Sequence, residues 1–195
     1  MTAWWGMARS LSAEHRTRLL ELARASIGEG LAGRGPLEPA VDDVAPELKE
    51  PRGAFVTVKV DGDLNGCIGA IEPTEPLVVV VPRVAWGAAF DDPRLPALTA
   101  DEFGRARLKI SVLSPLEPLP AETEDAVVAA LRPGVDGLLL RAGWRRGTLL
   151  PAMWEALPDA RHFVRTVLMK AGLAPEVWPA GAQAFCYTAE EFGED

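Results

Sequence analysis

Cys67 is one of only two cysteines in the chain and lies between two glycines in the segment LNGCIGAIEP. A cysteine thiolate can act as a nucleophile or contact a bound molecule when a histidine, a cation or a helix N-terminus stabilises it. The two histidines of the chain are distant from Cys67 in sequence. The alternative is a small buried side chain, because free cysteine is among the most buried residue types. Gly66 and Gly69 would then allow a bulge or the close packing of another segment.

The segment FDDPRLP contains a second group of side chains that could do chemistry, namely Asp91, Asp92 and Arg94. Two carboxylates and a guanidinium could bind a polar ligand through charge-assisted hydrogen bonds. The alternative is a turn, in which Asp-Pro ends a helix and Arg94 pairs with Asp92 to hold the chain.

A third group lies in RAGWRRG, which contains Arg141, Trp144, Arg145 and Arg146. An aromatic ring with cations around it could bind a base and a phosphate. The alternative is the tip of a β-hairpin that carries solvated arginines.

The composition and the motifs that the sequence lacks argue against nucleic-acid-binding, disulfide-rich, zinc-finger and membrane-spanning proteins. The 195 residues carry a net charge of −8, from 20 basic and 28 acidic side chains, which disfavours general binding to nucleic acid. Two cysteines cannot form a disulfide framework and have no zinc-finger spacing. The sequence has no phosphate-binding glycine loop, no HExxH zinc motif and no cysteine motif for a radical-SAM iron–sulfur cluster. It shows neither a signal peptide nor an apolar run of about 20 residues, so we expect a cytoplasmic protein.

The elements around Cys67 can be predicted from local patterns. The segment AFVTVKV alternates between Val56, Val58 and Val60 on one face and polar or aromatic residues on the other, which predicts a strand. Asp61-Gly62 then predicts a tight hairpin turn. The following segment DLNGCIGAI should return antiparallel to the first strand, so that Cys67 lies on a strand or at a bulge.

The rest of the chain mixes helices with short strands, which predicts an α+β fold with mainly antiparallel sheets and flanking helices. Ser12 is the expected N-cap of the first helix, and Leu19, Ala23 and Ile27 should face the core. The segment TEPLVVVVPRVAWGAAFDD is rich in valine, but its apolar spacing favours a helix that Thr74 would cap. GLLLRAGWRRGTLLP predicts a second hairpin, and AQAFCYTAEEF predicts a closing strand.

Several of these segments together resemble one family, the AMMECR domain family, and within it the bacterial group called AmmeMemoRadiSam system protein A. LNGCIGAIEP, AAFDDPRLPALTADEF, LKISVLSPLEPL, PGVDGLLLRAGWRRGTLLP and KAGLAPEVW follow one another in the order of the family's motifs. The resemblance implies a single domain over residues 12–192, preceded by an N-terminal extension over residues 1–11. It also implies two lobes with a cleft between them, the larger lobe using both chain ends.

The resemblance also implies partners and site residues. It implies a genomic association with a Memo-type protein and a radical-SAM-type protein. Asn65 replaces an arginine that the family carries before Gly-Cys, and some relatives have histidine at Asp136. Cys67 is the candidate catalytic residue, and the candidate ligand-binding residues are Asn65, Gly66, Gly69, Asp92, Arg94 and Asp136.

Three functions are compatible with the sequence. The first is an accessory protein that binds a small ligand and acts with the Memo-type and radical-SAM-type proteins, with Cys67 near the cleft. The second is a thiol-dependent enzyme with Cys67 as nucleophile. The third is a nucleotide or nucleic-acid module that uses Trp144 and the nearby arginines. No motif identifies a cofactor or metal.

Overall fold

The structure is a computed structural model that describes residues 10–42, 44–72 and 74–194. The first nine residues of the expected N-terminal extension lie outside the described residues. The chain divides into two compact units, each with its own core. The first unit ends at Leu113 and resumes at Glu190, and the second unit comprises Ser114–Ala189.

The first unit is built on a four-stranded sheet in the order β2-β1-β3-β8. Strand β1 pairs antiparallel with both β2 and β3. Helices α1 and α3 pack on each other, and α3 packs on β1 and β2. The elements are α1 (Ala13–Leu31), α2 (Pro46–Lys49), β1 (Ala54–Val60), β2 (Asp63–Ala70), α3 (Leu77–Phe90), α4 (Ala100–Phe103), β3 (Ala106–Leu113) and β8 (Ala189–Gly193).

The alternation along β1 determines which face of this sheet is buried. Val56 and Val58 are fully buried in the core that contains the inner side of α3. Successive side chains of a strand point to opposite faces, so Thr57 and Lys59 lie on the other face. We call this second face the polar face; its residues include Thr57, Lys59, Cys67, Arg107 and Lys109.

The Asp61-Gly62 hairpin is confirmed, and it is followed by a β-bulge. Both turn residues have positive φ, 52° and 93°, as a tight type I′ turn requires. Beyond the turn, Lys59 pairs with Leu64 and Val58 with Gly66, so Asn65 is an extra residue without a partner on β1. Cys67 therefore pairs with Thr57 and lies on the polar face.

The second unit contains the other sheet, in the order β4-β7-β5-β6, with antiparallel pairing throughout. Helix α6 packs on β5 and β6 and buries Phe163 and Val167. The elements are β4 (Glu117–Leu119), α5 (Glu124–Ala130), β5 (Gly137–Ala142), β6 (Arg145–Leu149), a 3₁₀ helix (Pro151–Glu155), α6 (Ala160–Lys170) and β7 (Gln183–Tyr187).

The α+β fold is confirmed, and most of the helix and strand predictions agree with the structure. Ser12 caps α1 by accepting a hydrogen bond from the backbone N–H of His15 at 3.1 Å. The valine-rich segment is helical, but Thr74 is not its cap. The helix begins at Leu77 directly after Pro76, whose fixed φ suits a helix start.

The prediction of one closing strand was wrong. The segment forms two strands, β7 in the second sheet and β8 in the first. Thr188 separates them, and its backbone N–H and carbonyl oxygen bond to the Ser114 hydroxyl and amide, both at 2.9 Å. The whole segment has strand-forming residues, and only the tertiary fold assigns each half to a different sheet.

No helix in the described part of the chain is both long and apolar enough to cross a membrane.

Candidate functional site

Cys67 lies on β2, the edge strand of the first sheet, and its side chain is half-buried. The Thr57 hydroxyl, directly across on β1, donates a hydrogen bond to the cysteine Sγ at 3.3 Å. The thiol is therefore held on the polar face, away from the core under α3. Such a thiol can contact a molecule that binds on this face.

A pair of charged residues clamps the backbone of Cys67. Asp92 accepts the Cys67 N–H at 3.0 Å, and the Arg94 Nη2 donates to the Cys67 carbonyl oxygen at 3.0 Å. Arg94 also binds Asp92 through Nε at 2.8 Å and through Nη2 at 2.6 Å. An edge strand presents unpaired amide and carbonyl groups, and here the two side chains take the place of a neighbouring strand.

The pair of Asp92 and Arg94, which we call the clamp, has a defined charge state. Asp92 is only 6 % exposed, yet it keeps its charge because it accepts several hydrogen bonds. Those from the Arg94 guanidinium lower the pKa of the Asp92 carboxyl most, and the N–H groups of Cys67 and Arg94 lower it further, well below its usual range. The predicted pairing of Arg94 with Asp92 is present, and the pair also fixes the backbone that carries the thiol.

The glycines that flank Cys67 are explained by packing. A Cβ on Gly66 would lie 1.7 Å from the carbonyl oxygen of Ala88 in α3. A Cβ on Gly69 would lie 2.2 Å from the ring of Phe55. Both distances are far below contact distance, so these positions allow α3 and the Phe55 ring to approach β2 closely.

Asn65, the extra residue of the bulge, has an unsatisfied polar atom. The residue is 9 % exposed, and its Oδ1 is buried without a hydrogen-bond partner among the described residues. A buried acceptor of this kind costs free energy, and in native proteins it calls for a specific explanation such as a ligand or bound water. It lies two residues from Cys67 on the same edge strand.

Asp136 belongs to the second unit and takes part in a hydrogen-bond network there. It is 1 % exposed, and its carboxylate accepts from the backbone N–H of Arg132 at 2.8 Å and from Arg132 Nη2 at 2.6 Å. The indole N–H of Trp154 donates to its carbonyl oxygen at 2.7 Å. These contacts hold the chain just before β5.

The hairpin between β5 and β6 carries the predicted aromatic and basic group. Trp144 is 86 % exposed, and the Arg145 guanidinium lies 5.3 Å from the centre of its ring. Arg145 also donates to the carbonyl oxygen of Gly172. Arg141 lies over the ring of Phe185, with 4.5 Å between guanidinium carbon and ring centre. Arg141 and Arg145 are thus engaged by neighbouring groups within the second unit.

Sequence reasoning missed the role of Thr57 as the partner of the thiol. Continued from the turn without a bulge, the register would pair Gly66 with Thr57 and Cys67 with Val56. That register would place the thiol on the face covered by α3. The bulge at Asn65 shifts the register by one residue and so brings Cys67 beside Thr57.

The two cysteines should differ in their reaction with iodoacetamide. Cys186 is buried on β7, and burial is the main cause that raises the pKa of its thiol. Cys67 is half-buried on the polar face. We expect alkylation of Cys67 in the folded protein to be at least about tenfold faster, as measured by peptide mass spectrometry. The two should react alike in guanidinium, and equal rates in native buffer would contradict the placement of Cys67.

Comparison with known proteins places this geometry in a family. The chain matches the AMMECR1 family over residues 20–192. A protein of Methanothermobacter thermautotrophicus is 37 % identical over 187 residues, which cover 95 % of this chain and 97 % of that protein. A protein of Methanocaldococcus jannaschii is 33 % identical over 190 residues, covering 95 % and 93 % of the two chains.

A solved structure shows the same fold. The crystal structure of an uncharacterized protein from Pyrococcus horikoshii superposes with a TM-score of 0.81 at 34 % identity. The match covers 91 % of this chain and 90 % of that one. Since its sequence and fold match those of these proteins over nearly the whole length, this chain belongs to the AMMECR1 family.

Proposed function

We propose that this protein is a ligand-binding component that acts with a Memo-type protein and a radical-SAM-type protein. Its ligand would contact Cys67 and Asn65 on β2. One observation carries the proposal: the buried Oδ1 of Asn65 lacks a partner among the described residues, two positions from a half-buried thiol. A ligand that donates a hydrogen bond to this oxygen would remove the cost of burying it.

The surroundings of Cys67 favour binding over catalysis. The described hydrogen-bond partner of its Sγ is the Thr57 hydroxyl, which is not a base at neutral pH. Nucleophilic catalysis by a thiol is usually supported by an adjacent base or cation that stabilises the thiolate. The Arg94 guanidinium binds the Cys67 carbonyl and the Asp92 carboxylate, so its charge is largely balanced by Asp92.

The partners in this proposal rest on the resemblance of the sequence motifs to AmmeMemoRadiSam system protein A. The test is size-exclusion chromatography of this protein mixed with the Memo-type and radical-SAM-type proteins of its own organism. We expect co-elution with at least one of them. Separate elution of all three proteins would overturn the proposal, if each is present near 50 µM, a concentration on the order of a weak but specific Kd.

A second candidate is a thiol-dependent enzyme with Cys67 as nucleophile, which the accessible position of the thiol favours. The rate of alkylation of Cys67 as a function of pH tests it. An activated nucleophile should already react at its full rate near neutral pH. A rate that rises only near pH ~8.5, as for an ordinary thiol, would argue against this candidate.

A further inference from the structure

The polar face of the first sheet carries three basic side chains next to one another. Lys59 on β1 lies directly opposite Arg107 on β3, and Lys109 follows two residues later, opposite Thr57. All three basic residues are exposed. Together with two carboxylates, Glu191 and Glu194, they line a groove of about 430 Å³ within the first unit.

The pairing of Lys59 with Arg107 is unfavourable for the sheet. Like charges directly opposite each other in an antiparallel pair destabilise the sheet, whereas opposite charges stabilise it. Lys109, by contrast, has a partner of opposite charge on β8, because its Nζ lies 2.5 Å from an oxygen of Glu191. Neither Lys59 nor Arg107 forms a salt bridge to a carboxylate of the described chain. The nearby Glu194, whose pKa Arg107 helps to lower, is ion-paired with Arg24 instead.

We propose that Lys59 and Arg107, with Lys109 beside them, bind the phosphate group of a small molecule. A phosphate carries up to two negative charges and accepts several hydrogen bonds, so it can bind both cations at once. The guanidinium of Arg107 matches two phosphate oxygens in a planar, forked arrangement, and the Lys59 ammonium adds a point charge.

The phosphate site lies within reach of Cys67 on the same face. Cys67, Thr57 and Lys109 form one row across three neighbouring strands. Strands lie about 4.8 Å apart, so the backbone of Cys67 is roughly 10 Å from that of Lys109. A phosphorylated ligand of this length could place its phosphate at the basic group and its other end at the thiol. The placement of the other end at the thiol rests on the proposed function, in which the ligand contacts Cys67.

Isothermal titration calorimetry with inorganic phosphate and with pyrophosphate tests the site, in chloride buffer at constant ionic strength. We expect both to bind the wild-type protein. Lys59→Gln and Arg107→Gln should each weaken binding about tenfold. Arg18→Gln is the matched control, since it removes one positive charge from the exposed surface of α1 and should leave the affinity unchanged. Lys59→Gln should also raise the melting temperature in phosphate-free buffer, because it removes the like-charge pair.

No binding of either anion at 10 mM, a concentration on the order of a very weak Kd, would overturn the proposal. Equal weakening by Arg18→Gln, or a lower melting temperature for Lys59→Gln, would do the same. Binding of a single-stranded DNA oligonucleotide without binding of the small anions would also overturn it. Cys67→Ala should retain phosphate affinity. If phosphate binds but the Memo-type and radical-SAM-type proteins do not, only the proposed function fails. If those proteins bind but phosphate does not, only the phosphate site fails.

Discussion

Replacing Gly66 by alanine is expected to lower the free energy of unfolding by about 3 kcal/mol or more. The new Cβ would lie 1.7 Å from the carbonyl oxygen of Ala88 and 2.8 Å from its carbonyl carbon. Both atoms belong to the backbone of α3, so no side-chain rotation can relieve the overlap. Either α3 must move away from β2, or the edge strand must leave the sheet.

Gly28→Ala is the matched control for this substitution. Gly28 lies inside α1, and a Cβ there would meet nothing within 4 Å. Alanine is the better helix former, so this change should raise the free energy of unfolding by about 0.5–1 kcal/mol. Urea unfolding of the three proteins measures both effects. Equal midpoints for Gly66→Ala and Gly28→Ala would show that α3 does not pack on β2 as described.

Asp92→Ala is expected to lower the free energy of unfolding by about 3 kcal/mol. The substitution leaves the N–H of Cys67 without its acceptor and removes the carboxylate that orients Arg94. Glu21→Ala is the matched control, because it breaks an exposed ion pair with Arg18 and should change stability little. Iodoacetamide should also alkylate Cys67 faster in Asp92→Ala, since the edge strand is no longer held.

The same carboxylate should make stability depend on pH in one direction. Its pKa in the folded protein is far below the value of about 3.9 for an unfolded aspartate, so the folded state favours the charged form. Its contribution is complete above that value and is lost as the pH falls below it. The stability difference between wild type and Asp92→Ala should therefore be constant from pH 7 to about pH 5 and shrink below about pH 4. A difference that grows on acidification would contradict the assignment of the clamp.

Local patterns were enough to predict much of the scaffold around Cys67. The alternation of β1 and the Asp61-Gly62 turn depend on neighbouring residues only, and both are present as predicted. The bulge at Asn65 is different, because no local pattern marks which residue of β2 is the extra one. That single residue decides whether the thiol faces α3 or the polar face.

The clamp could be predicted only in part, because one of its contacts is local and the other depends on the tertiary fold. Arg94 lies two residues from Asp92, so their pairing could be expected from the turn after α3. Their attachment to the backbone of Cys67 depends on where α3 ends relative to the edge of the sheet. Likewise, the like-charge pair of Lys59 and Arg107 depends on the register between β1 and β3, which are separated in sequence by β2 and two helices.

We propose that the thiol of Cys67 lies on a surface that contacts a ligand and that is covered when the protein acts with its Memo-type and radical-SAM-type partners. The most direct test of this proposal is the rate at which iodoacetamide alkylates Cys67, with and without the Memo-type and radical-SAM-type proteins, using Cys186 as internal control. We expect the partners to slow alkylation of Cys67 by about tenfold or more and to leave the alkylation rate of Cys186 unchanged. An unchanged rate at Cys67 in a mixture shown to co-elute would contradict the proposal.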